Sequence, residues 1–185
     1  MSNGAWGDGH NGVNVYMASY WEKVADQIAA LVKKYDFDGV DIDWEYPSTA
    51  DDWKRYDSFI QKLHRDLKAY KEDAVISAAL SAGALGLSKE TFDCIDRIQF
   101  MAYDGNDTDG YQSSLQQAEE GLHSFKLNGA DISKINIGIA VYGRTVPRGI
   151  PGRHGQRPQH ITRHYGAVRY AQIRSERCFQ NCVDP

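Results

Sequence analysis

Three carboxylates stand two residues apart in the stretch FDGVDIDWEYP, at Asp41, Asp43 and Glu45, and they alternate with Val40, Ile42 and Trp44. On a strand rising ~3.3 Å per residue, successive members of that acid row lie ~6.6 Å apart. Two unit charges at that distance repel by ~2.5 kcal/mol at an effective dielectric near 20, which corresponds to ~2 pKa units. The three acids are therefore expected not to ionise together, with one proton shared between neighbours near neutral pH. A carboxyl group that still holds its proton at neutral pH is what general acid catalysis needs. The alternative is a solvated strand face, which an antiparallel sheet with one wet side would allow.

The elements around the acid row decide between these. Trp21, Val24, Ala25, Ile28, Leu31, Val32 and Tyr35 recur at helical spacing, which predicts an amphipathic helix over about 19–35. The acid-bearing strand follows. Ser48 or Thr49 then offers an N-cap, and Trp53, Tyr56, Phe59, Ile60, Leu63 and Leu67 form the apolar face of a second helix. Strands are expected at 74–80, 97–104 and 134–143, separated by a short helix opened by Ser88 and a longer one over about 113–127, ended by an Asn-Gly-Ala turn. Strands alternating with helices predict a parallel sheet built from right-handed crossovers. Helices then cover the Val40, Ile42 and Trp44 face. Asp41, Asp43 and Glu45 point to the other side, at the end of a parallel strand where sites form. Asp38 has the opposite parity and is read as structural.

The 185 residues suffice for one domain with a real core, and 25% charged with 42% apolar residues is ordinary for a globular chain. No apolar run approaches a membrane span, and the opening MSNGAWGDGH shows no signal peptide. Cys94, Cys178 and Cys182 make an odd count without a metal-ligand pattern. Charge is unevenly spread. Residues 1–143 hold 13 Lys and Arg against 23 Asp and Glu, a net −10; residues 144–185 hold eight Arg, Glu176 and Asp184, a net +6; together they give the chain's −4. This shift marks a boundary, after which residues 145–185 read as an irregular Arg-rich tail. A nucleic-acid arm is one reading of it. The lack of aromatic interleaving favours the other, a non-native extension outside the domain.

DGVDIDWE resembles the signature of glycoside hydrolase family 18, the chitinases. Three further stretches agree in order. SNGAW (2–6) is similar to the end of the family's third strand, with Ala5 in place of a Gly. QFMAYD (99–104) resembles the sixth strand, and INIGIAVYGR (135–144) the seventh. The resemblance covers residues 2–144. It implies a (β/α)8 TIM barrel, represented here by about four parallel strands, the family's fourth to seventh. It also implies substrate-assisted retaining hydrolysis, in which the sugar's own 2-acetamido carbonyl is the nucleophile. Carried over by motif, Glu45 is the acid and then the base, Asp43 orients the acetamido group, Asp41 shares a proton with Asp43, and Tyr103 donates to the acetamido oxygen. Trp6, Met101, Asp104, Tyr142 and Arg144 are the implied substrate-binding residues. The implied partners are chitin or N-acetylglucosamine oligosaccharides; no cofactor, metal, nucleic acid or membrane is called for. The family implies secretion of the full-length protein.

Plainer roles stand beside these. Met101 and Tyr103 also suit a barrel core, Tyr142 and Arg144 a strand cap or surface ion pair, and Trp21, Trp44 and Trp53 packing. The Asn106-Asp107-Thr108 sequon has meaning only in a secreted chain. A whole (β/α)8 barrel takes about 250 residues, so the chain reads as a catalytic segment of a larger enzyme, residues 1–144, followed by the tail. Three other readings stay open: a sugar-binding lectin on the same fold, from which the acid is typically lost; an inactive fragment; and an endo-β-N-acetylglucosaminidase.

Overall fold

A computed structural model describes residues 10–82, 86–105 and 111–142, with side chains from residue 14 onward. Helix α1 spans His10–Tyr35, strand β1 Gly39–Ile42, helix α2 Ala50–Lys68 and strand β2 Val75–Leu80. Helix α3 (Lys89–Cys94), strand β3 (Arg97–Met101), helix α4 (Leu115–Leu127), a 3-10 turn (Ile132–Lys134) and strand β4 (Ile135–Gly138) follow. The four strands form one parallel sheet in the order β1-β2-β3-β4. The expected alternation and the partial barrel architecture are both present.

Parity along the strands separates two faces. Ile42, Ile76, Ala78, Leu80, Ile98 and Phe100 are buried beneath the helices. Asp41, Ser77, Gln99 and Asn136 alternate with them on the other face: Asp41 stands opposite Ser77, and Gln99 opposite Asn136, whose amide donates to it over 3.3 Å. A one-residue slip of β1 would expose Ile42 and bury Asp41 and Asp43 instead. It would forfeit ~1.5–3 kcal/mol for the isoleucine and add several kcal/mol for each carboxylate left unpaired in the core. The alternation of types therefore sets the register.

Helix α1 begins at His10, well before the expected residue 19. Buried Asn14 and Met17 extend the stripe of Val24, Ala25, Ile28 and Val32 by two turns. The polar Asn14 and the Asn11-Gly12 pair broke the apolar period there. Strands β1, β3 and β4 are shorter than expected, because regular ladder pairing stops at Ile42, Met101 and Gly138. Helix α4 lies close on β3: a Cβ at Gly121 would run into the Phe100 ring, which itself packs edge-on to Phe125 at 5.2 Å.

Helix α2 starts with a full capping box. The Thr49 hydroxyl accepts from the Asp52 amide (3.1 Å), and Asp52 Oδ2 accepts from the Thr49 amide (3.0 Å). The same oxygen also takes the Thr49 and Ser48 hydroxyls and the Ser48 amide, and Arg55 donates to Oδ1 at 3.0 Å. Burial pushes the Asp52 pKa up, but the donors from Thr49 and Ser48 outweigh it and hold the pKa below the usual carboxylate range. A depressed folded pKa contributes stability that is present above the unfolded value of ~3.9 and is lost as pH falls through the folded value. Asp52→Ala should thus cost ~1–2 kcal/mol at pH 7, with the gap to wild type narrowing below about pH 4. Thermal melts at pH 7 and pH 3 check this; an equal gap at both would show that the carboxylate charge is not what matters.

Candidate active site

The acid row continues past the last ladder pair of β1. Trp44 turns back into the core, where it is 2% exposed. Its ring lies 5.2 Å from that of Tyr56, and its indole Nε1 donates to Asn14 Oδ1 over 2.7 Å. Parity then sends Asp43 and Glu45 to the opposite side, both half-buried. Asp41, one step back, is exposed and accepts a hydrogen bond from the Ser77 hydroxyl of β2. The Glu45–Tyr46 peptide is cis.

Two tyrosines meet these acids. The Tyr46 hydroxyl is pushed well above the usual tyrosine range by burial, then by its hydrogen bond to Glu45 and the charges of Glu45 and Asp43. Tyr103, just beyond β3, is raised by burial and then by the charges of Glu45, Asp43 and Asp104. Both phenols therefore stay protonated at neutral pH and act as O–H donors. The ring of Tyr103 is seated against β4: a Cβ on Gly138 would stand 3.0 Å from Tyr103 Cε1 and 3.0 Å from the Phe100 carbonyl. A side chain at that position would press the ring by a few tenths of an ångström.

On the far side, Tyr142 meets Tyr103 edge-on at 6.3 Å, and its hydroxyl donates to Asp104 Oδ1 at 2.7 Å. Asp104 adopts a left-handed backbone (φ 59°), which Asp tolerates better than most residues. Gln112 Nε2 holds the Tyr142 carbonyl at 2.6 Å. Met101 is half-buried at the end of β3. Glu45, Asp43, Tyr103, Met101, Asp104 and Tyr142 thus gather at the C-terminal end of the sheet, with Asp41 one step below. Asp38 sits apart and pairs with Lys71 at 3.1 Å. Trp6, Arg144, the Asn106 sequon, Cys178, Cys182 and the 145–185 tail lie outside the described residues.

Sequence reasoning missed Tyr46, Ser77 and Asn14. Tyr46 follows Glu45 directly, and its role depends on how that peptide turns. Ser77 had a signal: it is the one hydroxyl on the inward parity of β2, Val75–Leu80. Asn14 had none, since its partners are thirty or more residues away.

A parallel, helix-covered sheet with clustered carboxylates and phenols at its C-terminal end is the arrangement of a TIM-barrel hydrolase. The family model for glycosyl hydrolases family 18 matches residues 4–180, and the chain belongs to this family. That match runs on past Arg144 into the Arg-rich segment. An endochitinase of Manduca sexta is 26% identical over 171 residues, covering 77% of this chain and 31% of that protein. A secreted chitinase of Penicillium expansum is 30% identical over 152 residues, covering 67% of this chain and 10% of its own length. Among solved structures, the class V chitinase of Nicotiana tobaccum, in complex with NAG4, superposes with a TM-score of 0.61 at 19% identity, covering 72% of this chain and 45% of that one. A chitinase-like agglutinin from Robinia pseudoacacia gives 0.62 at 22% identity, over 74% of this chain and 49% of that one. The chain spans about a third of the length of the first curated relatives, 31% to 34%. Among the described residues no helix is long and apolar enough to cross a membrane.

Proposed function

We propose that this site belongs to a chitinase that hydrolyses β-1,4 bonds between N-acetylglucosamine units, with retention and with the substrate's acetamido group as nucleophile. The observation that carries the reading is the meeting of Glu45 and Asp43 with the protonated phenols of Tyr46 and Tyr103. Glu45 gives its proton to the glycosidic oxygen as the C1–O bond breaks. The acetamido carbonyl oxygen closes on C1, and the resulting positive charge spreads into an oxazolinium ring. Asp43 accepts from the acetamido N–H, while Tyr103 donates to the acetamido oxygen. Water then attacks C1, the Glu45 carboxylate takes its proton, and the ring reopens. Asp41, held by Ser77, shares a proton with Asp43 and sets its charge. Trp6, Met101, Asp104, Tyr142 and Arg144 bind the sugar chain.

The chain is taken as part of a longer, secreted enzyme, in keeping with the third of a relative's length that it spans and with the secreted Penicillium relative; the family match, over residues 4–180, reaches beyond the expected 1–144 boundary. A lectin on the same fold is the second reading, because the Robinia agglutinin shares this fold. Glu45, the group such a lectin does not need, favours hydrolysis. Incubating the chain with chitotetraose separates the two: released chitobiose supports the enzyme, whereas binding without cleavage supports the lectin.

A further inference from the structure

Asn14 is buried, 8% exposed, on a helix that carries none of the acids. Its side chain nevertheless holds the chain on both sides of Glu45. Oδ1 accepts the Trp44 indole at 2.7 Å; Nδ2 donates to the Tyr46 carbonyl at 3.1 Å and to Ser48 Oγ at 3.0 Å. The orientation of the amide is settled by its partners. The indole can only donate, and the Tyr46 carbonyl can only accept. A single planar amide therefore ties down the residue before the acid and the residue after it.

We propose that Asn14 is a positioning residue for Glu45, acting through Trp44 and Tyr46. The inference rests on reading Glu45 as the acid. With the indole of residue 44 and the carbonyl of residue 46 both anchored, the backbone of Glu45 has little freedom to rotate. The anchored Tyr46 then places its phenol against the Glu45 carboxylate, so the clamp reaches the reacting group through one further hydrogen bond. Ser48 passes the clamp on by donating to Asp52 Oδ2 at 3.1 Å, at the N-terminus of α2. The acid is thus referenced to α1, α2 and β1 together, which is how a loop residue acquires the precision of a helix or strand. Aspartate would keep the Trp44 bond but set an oxygen against the Tyr46 carbonyl, and leucine would lose all three bonds.

The test compares the full chain with Asn14→Asp and Asn14→Leu, each checked for a cooperative melt. The Glu45 carboxyl signal is followed by 13C NMR at one pH, with Glu45→Gln assigning it. The groups facing it, Asp43, Tyr46 and Tyr103, are the same in all three chains. Loss of the Tyr46 contact changes what faces the Glu45 carboxyl, so its 13C shift should move in both variants. A displacement of the acid by ~1 Å should lower kcat on chitotetraose by about 10- to 100-fold, with KM held within about threefold. If Asn14→Leu does not fold, Asn14→Asp decides by the same two readouts. A folded variant with a wild-type carboxyl 13C shift and wild-type kcat overturns the proposal, as does a loss expressed only in KM. If the wild-type chain, taken as a segment of a longer enzyme, cleaves nothing, the Glu45 carboxyl signal alone decides whether Asn14 positions Glu45.

Discussion

Glu45→Gln should leave chitotetraose bound with near wild-type affinity and lower the rate of cleavage by at least about 10²–10⁴-fold. Glutamine matches the size of glutamate and can still accept from the Tyr46 phenol, so the site keeps its shape. It cannot deliver a proton to the glycosidic oxygen or take one from water, and both steps are assigned to this one group. In the proposed mechanism Asp43 does not stand in, because it is assigned to the acetamido group. The measurement is a pair of isotherms and a pair of progress curves. A variant that binds as before and cleaves within a few-fold of wild type would remove Glu45 from the mechanism.

The legible part of this fold was the part governed by short repeats. The period-two row of Asp41, Asp43 and Glu45 specified a strand, its direction of burial and its register at once. The alternate choices, Val40, Ile42 and Trp44, are all apolar. The apolar stripes of α2 and the caps at Thr49 and Ser88 are equally local. What could not be read depends on distant segments meeting. The start of α1 was missed because Asn14 is polar for the sake of residues 44, 46 and 48. The early ends of β1, β3 and β4 arise because a strand that leaves the ladder keeps its extended pattern in the sequence. Ser77 shows the middle case: a hydroxyl on an inward parity is visible, but its pairing with Asp41 needs the β1–β2 register.

Removing the acetyl groups from the substrate should bring cleavage to background, although the sugar chain keeps its length and its glycosidic bonds. The competing scheme is a pair of enzyme carboxylates, one protonating the leaving group and one activating water from the opposite face. Alternate strand residues lie ~6.6 Å apart, at the short end of the ~6.5–9.5 Å such inverting pairs need, so spacing by itself does not discriminate. The surroundings do. Asp43 shares its site with the phenol of Tyr103, a donor that a water-activating base has no use for but that an acetamido oxygen would accept from. An intramolecular carbonyl held in line with C1 is worth an effective concentration of ~10⁵–10⁸ M, and a free amine at the same carbon offers nothing comparable. Acetylated and fully deacetylated chitotetraose should therefore differ by several orders of magnitude in kcat, and product from the acetylated chain should be released first as the β-anomer. Equal rates on the two substrates, or an α-anomer as the first product, would exclude substrate assistance and return Asp43 to the role of a base.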